Sequence, residues 1–139
     1  MKTMTCFVSS CAIDQRPATE LVRAIRERGI VVDHSPVSPT RGGDERWKNW
    51  YESGCPETVA KCDAFVIVID RAWDSSTWMA HESWCAMQDP RRSKTPMCFY
   101  WDPSDIGAKA TGMMQYLKER LPSDPVLAAK LLESRMRNE

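Results

Sequence analysis

The sequence predicts a three-layer α/β fold with a mostly parallel central sheet of four to five strands, and three observations predict it. A short apolar run, an amphipathic helical pattern and a β-branched run follow one another between Met4 and Val32. That succession within about thirty residues is the pattern of a parallel strand-helix-strand unit. The most apolar run of the chain, Ala64 to Ile69 (Ala-Phe-Val-Ile-Val-Ile), is short and does not alternate, as expected of a strand buried on both faces. Strand and helix patterns keep alternating beyond it, which favours helices layered against a sheet.

Residues Met4 to Ser10, with Cys6, Phe7 and Val8 contiguous and two serines at the end, read as a buried first strand. After the polar link Cys11 to Arg16, Pro17 suits a first helical position, and Ala18, Leu21, Val22 and Ile25 recur at offsets of three and four until Gly29 closes the pattern. Ile30, Val31 and Val32 then predict the second strand. Ser35 to Asp44 contains Pro36, Pro39, Gly42 and Gly43 and reads as a long loop. Between Glu45 and Lys61, Gly54 and Pro56 divide the pattern into two short helical pieces bearing Trp47, Trp50 and Tyr51. Ala64 to Ile69 is the central strand, and Met97 to Trp101 a fourth. Met113 to Leu117 reads as a short fifth strand or a helical turn, with the strand favoured. Asp124 and Pro125 supply a cap and a first-turn proline for a final helix carrying Leu127, Ala128, Leu131 and Leu132.

A length of 139 residues with 42% hydrophobic content fits a single domain spanning 1–139. The 19 basic and 19 acidic side chains cancel, so no global field draws the protein to nucleic acid or to an anionic membrane. No apolar run approaches the roughly 20 residues of a membrane span, and the first residues lack the apolar core of a signal peptide. A soluble, cytoplasmic protein is the resulting expectation. Four of the six cysteines lie in or beside apolar segments, which favours free buried thiols over disulfides. There is no C-x-x-C, and His34 and His81 complete no zinc-ligand spacing, so no metal site is expected.

In folds of this class the ligand crevice lies outside the carboxyl ends of the strands. The loops there are Ser9 to Arg16, Ser35 to Asp44 and Asp70 to Ser76, all rich in polar residues or glycine. The third leads directly into a distinctive stretch. Ser75 and Ser76 read as the N-terminus of a helix running from Thr77 to Met87, and Trp78 and Glu82 then share one helical face. An acid in the first turns of a helix is commonly a solvated partner of the helix dipole. Trp78, Arg16 and the Trp47, Trp50, Tyr51 cluster have equally ordinary roles in packing, exposure or self-association.

These residues resemble the TIR domains of immune receptors, plant resistance proteins and bacterial defence systems. The segment from Asp70 to Glu82, with an aromatic residue, two small residues, S-x-W and an acid four positions on, is similar to the family's signature at a strand end. Phe7-Val8-Ser9-Ser10 followed by Asp14-x-Arg16 is similar to its first strand and D-x-R. The Pro36 to Gly43 loop sits where the family's BB loop lies, and Cys62 to Ile67 resembles the approach to its third strand. The resemblance covers about Met4 to Tyr100. Met79 stands where plant members commonly have cysteine, and the chain after Asp102 matches poorly.

The resemblance implies a flavodoxin-like TIR fold and places Glu82 on the glutamate that is catalytic in NAD-cleaving members. NAD would then be substrate, with no cofactor. Nicotinamide leaves readily because its ring nitrogen is cationic in NAD, and a fixed carboxylate beside the ribose stabilises the oxocarbenium-like cation that develops. Trp78 would wall the sugar, Ser9, Ser10 and Arg16 would hold ribose or phosphate oxygens, and Asp14 and Ser76 would be further substrate-binding residues. Asp44 and Trp47 would close the pocket from the side of the glycine loop. The products would be nicotinamide with ADP-ribose or a cyclic ADP-ribose-type signal, as in the stand-alone TIR component of Thoeris-like antiphage defence. Because the chain starts close to its first strand, activation is expected through TIR-TIR self-association or a partner, with a separate downstream effector. Three other readings compete: a non-catalytic TIR adaptor or virulence effector, a nucleoside deoxyribosyltransferase-like enzyme with a catalytic glutamate, and a phosphoacceptor receiver using Asp70. The last needs an acidic pair after the first strand to hold magnesium, where Ser9 and Ser10 stand instead.

Overall fold

The computed structural model describes residues 3–10, 16–34, 59, 61–69, 96–104 and 119–138. They form five strands and two helices: β1 (Thr5–Ser9), α1 (Arg16–Glu27), β2 (Val31–His34), β3 (Ala64–Val68), β4 (Met97–Trp101), β5 (Glu119–Leu121) and α2 (Pro125–Arg137). The strands make one sheet in the order β2-β1-β3-β4-β5, and every neighbouring pair is parallel. The expected three-layer α/β class is therefore the observed one, with β3 in the middle of the sheet.

Each element follows from local chemistry. All five residues of β3 are buried, which explains why its sequence shows no alternation. In α1 the buried positions Ala18, Leu21, Val22 and Ile25 keep the helical spacing read from the sequence. The helix begins at Arg16, one residue before the proline, and ends where Gly29 adopts φ +81° and donates its N–H to the Arg26 carbonyl at 3.0 Å. A left-handed residue at that point satisfies a terminal carbonyl at no steric cost to glycine. Asp124 caps α2 by accepting the Val126 N–H at 2.8 Å, with Pro125 in the first turn. Such a cap contributes about 1 kcal/mol.

The register sorts side chains onto two faces. One face carries Cys6, Val8, Val66, Val68, Phe99 and Trp101, which pack with Ala18, Leu21 and Ile25 of α1 and Ala128 and Leu132 of α2 in one core. The other carries Phe7 and Phe65, whose rings stack with centroids 5.6 Å apart, together with Ile67 and Cys98. These four are also buried, so the sheet is a middle layer covered on both sides. The helices on the first face are tied by Arg28, whose Nε lies 2.7 Å from Glu133 Oε1.

The structure adds detail to the sequence reading. β2 runs to His34 rather than ending at Val32, and β1 is shorter by a residue at each end. The fifth strand that the structure describes is Glu119–Leu121; the Met113 to Leu117 segment lies outside the described residues. A three-residue strand containing Glu and Arg has no apolar run to announce it, and its place comes from pairing with Phe99, Tyr100 and Trp101. On α2 the buried stripe is Ala128, Ala129, Leu132 and Met136, while Leu127 is 53% exposed and faces away from the core. Cys6, Cys62 and Cys98 are buried thiols outside any disulfide; the other three cysteines lie outside the described residues.

Candidate functional site

The connection from β1 goes outward to β2, and the chain then returns past β1 to β3. The order of the strands therefore reverses between β1 and β3, and the crevice at their carboxyl ends is the place where this architecture binds ligands. β1 ends there in Ser9 and Ser10, which are 0% and 3% exposed. A hydroxyl buried to that degree reaches a ligand only when what covers it moves. α1 starts at this same edge with Arg16, so its positive dipole end points to the crevice. β3 ends at Val68, followed by the buried Ile69, whose N–H is held by the Trp101 carbonyl at 2.8 Å. The Asp70 to Glu82 stretch continues from that point.

The sequence-derived residues divide accordingly. The structure places Ser9 and Ser10 together at the end of β1 and Arg16 at the first turn of α1. Asp14, Asp44, Trp47, Ser76, Trp78 and Glu82 lie outside the described residues, as does the Ser35 to Asp44 loop; of the helical pieces expected between Glu45 and Lys61 only Val59, helical and buried, and Lys61 are described.

The sequence reading missed a third buried polar residue on this edge. Asp102 follows β4 directly and is 2% exposed. With Ser9 and Ser10 it completes the buried polar and charged residues among those described, and all three sit at the carboxyl ends of strands. Arg120 of β5 reaches it: Nη2 donates to the Asp102 carbonyl at 3.0 Å and lies 4.0 Å from its Oδ2. An acid placed immediately after an apolar strand is the signal that could have found Asp102, which directly follows β4, whereas Ile69 holds the equivalent place after β3.

The opposite, amino-terminal edge is closed by a different acid. Asp63 accepts the Thr5 N–H on its carboxylate at 3.0 Å, donates its own N–H to the Thr5 carbonyl at 2.8 Å and accepts the Met97 N–H on its carbonyl at 3.1 Å. Polar chemistry at that end serves strand pairing. A groove of about 510 Å³ is lined by Thr19, Val22, Arg23, Arg26 and Glu27 of α1. Among the described residues no group of His, Cys, Asp or Glu converges to hold a metal ion, and no helix is long and apolar enough to cross a membrane.

No protein-family model matches the sequence, and comparison with curated proteins gives no match. Comparison of folds does: the chain is similar to the TIR domains of the activated Roq1 resistosome, a structure directly recognizing the pathogen effector XopQ. The TM-score is 0.52 at 15% identity, covering 99% of this chain and 72% of that one. From the all-parallel order β2-β1-β3-β4-β5 and this structural match, the chain has the fold of a TIR domain.

Proposed function

We propose that this protein is an NAD-processing TIR enzyme that cleaves the bond between nicotinamide and ribose, with Glu82 as the catalytic carboxylate. The observation that carries the reading is positional. In the chain the S-x-W-x-x-x-E stretch, Ser76 to Glu82, comes after the central strand β3, and β3 itself lies beside the serine-ended β1 at the switch point of the sheet. A carboxylate fixed there, next to the ribose, stabilises the positive charge that grows as nicotinamide departs, and nicotinamide needs no protonation to leave. Trp78, four residues before Glu82 in the sequence, walls the sugar in this proposal. Asp14 and Ser76 supply partners for ribose hydroxyls and Arg16 a guanidinium for phosphate, Ser9 and Ser10 join them only once uncovered, and Asp44 and Trp47 close the site.

Activity in this proposal is switched by self-association. The similar TIR domains belong to a resistosome assembly, which supports TIR-TIR contact as the route to an active arrangement. Hydrolysis would give ADP-ribose, and capture of the cation by a second hydroxyl of the same molecule would give a cyclic signal for a bacterial defence effector.

The test is incubation of the full chain with NAD, dilute and under crowded conditions that promote assembly, with products identified by mass. Nicotinamide release that falls about a hundredfold or more in Glu82→Gln is the expected result. No release under any condition assigns the fold to an adaptor role. Release from nucleosides but not from NAD assigns it to deoxyribosyltransferase-like chemistry.

A further inference from the structure

The parallel register lines up one row of residues across four adjacent strands: Ser9 of β1 pairs with Ile67 of β3, Ile67 with Tyr100 of β4, and Tyr100 with Arg120 of β5. Paired residues in a parallel sheet project to the same face. The next row confirms the assignment, since Val8, Val66, Phe99 and Glu119 all point to the α1 and α2 face, where Arg135 of α2 pairs with Glu119 at 2.5 Å. The row ending in Arg120 therefore lies on the face away from those helices. It runs from the switch point to the sheet's edge, across three strand spacings of about 4.8 Å, or about 14 Å in all. Burial relaxes along it: Ser9 and Ile67 are 0% and 1% exposed, Tyr100 is half-buried, and the Arg120 side chain is 39% exposed.

Arg120 is also aimed. Its Nη2 donates to the Asp102 carbonyl at 3.0 Å, and the buried Asp102 carboxylate lies 4.0 Å away, which draws the guanidinium from mid-strand to the carboxyl edge. A carboxylate buried as deeply as Asp102 is costly to keep in a protein unless a cation and hydrogen bonds accompany it. The pair is neutral as a whole, so what the tether fixes is the position of the guanidinium's N–H donors at the carboxyl edge of the sheet. A planar guanidinium with several donors, exposed and pre-oriented, is suited to phosphate oxygens, because little rotamer freedom remains to be lost on binding.

We propose that Arg120, positioned by Asp102, is a phosphate-binding residue of the crevice that holds the diphosphate side of a dinucleotide whose ribose lies at the switch point. The assignment rests on the NAD reading for the identity of the ligand, and its test reads binding rather than turnover, so the two can fail separately.

The experiment is calorimetric titration of the full-length protein with ADP-ribose and, in parallel, with adenosine, for wild type, Arg120→Gln and Asp102→Asn. Arg120→Gln leaves the buried Asp102 carboxylate without this cation, so the melting temperature of each variant is measured and the double variant Arg120→Gln/Asp102→Asn, which removes both charges, is titrated alongside. Wild type should bind ADP-ribose in a salt-sensitive manner. Arg120→Gln should weaken ADP-ribose about tenfold or more, the loss of one charge-assisted contact, and leave adenosine unchanged. Asp102→Asn, which keeps the cation but loosens its hold, should weaken ADP-ribose by a smaller factor. Equal affinity of Arg120→Gln and wild type for ADP-ribose overturns the proposal, as do equal losses for ADP-ribose and adenosine, or no ADP-ribose binding by wild type. Nicotinamide release, measured separately, decides the proposed activity.

Discussion

Removal of the Asp63 carboxylate should loosen the sheet at its amino-terminal edge by a calculable amount. Asp63 binds both neighbours of β3: its N–H and carboxylate take the Thr5 carbonyl and N–H at 2.8 and 3.0 Å, and its carbonyl takes the Met97 N–H at 3.1 Å. In Asp63→Ala the two backbone bonds survive and the carboxylate bond is lost, leaving the Thr5 N–H without its carboxylate acceptor. A hydrogen bond to a charged group contributes about 1.5–3 kcal/mol, so the expected loss is about 2 kcal/mol. For a domain of this size that corresponds to a melting temperature lower by about 8 °C. Asp63→Asn keeps an oxygen acceptor without the charge and should lose about half as much. Thermal and urea unfolding followed by circular dichroism gives both values. If Asp63→Ala melts within about 1 °C of wild type, or Asn and Ala are equally destabilised, the carboxylate is not the clamp described.

Other consequences are equally specific. Trp101 is 1% exposed and donates Nε1–H to the Pro122 carbonyl at 2.8 Å, so Trp101→Phe should cost about 2 kcal/mol in urea unfolding through the lost bond and the smaller ring; an unchanged midpoint would contradict it. The Glu133 carboxyl is held below its ordinary range by hydrogen bonds from Arg28 and then Arg137. Because the folded form is the more acidic, its stabilisation is present above the unfolded carboxylate value of about 4.3 and is lost as pH falls through the lower folded value. Glu133→Gln should therefore melt below wild type at pH 7, with the difference closing in acid, and a difference independent of pH would refute the linkage. Gly29 sits at φ +81° with nothing within 4 Å of an added Cβ, so Gly29→Ala should lose only the backbone strain, about 1–2 kcal/mol by denaturant titration, and Gly29→Asn less. Equal stability of the Ala variant and wild type would show that the left-handed turn is not maintained in solution.

Much of the scaffold was legible because local signals and burial agreed. Met97–Trp101 is a strand by its own apolar run, α1 by its spacing and α2 by its Asp-Pro start, and each stands where those signals place it. Glu119–Leu121 was not legible: its strand conformation exists through pairing with β4, a long-range partner that no window of sequence contains. Leu127 misled for a related reason. Its apolar character fits a helix, but the orientation of α2 is decided by the packing of Ala128, Ala129, Leu132 and Met136, which leaves Leu127 outside.

For the site, the sequence by itself determined that an acid, Glu82, follows the most apolar strand behind S-x-W, and that β1 ends in two hydroxyls. Order along the chain carries that information. Only the tertiary structure decided that β3 lies between β1 and β4, that Ser9, Ser10 and Asp102 share one buried edge, and that Arg120 lies in the same cross-strand row as Ser9. Neighbours in a parallel sheet come from distant parts of the chain, so register, which sets who stands beside whom, is a property of the packed sheet rather than of any segment in it.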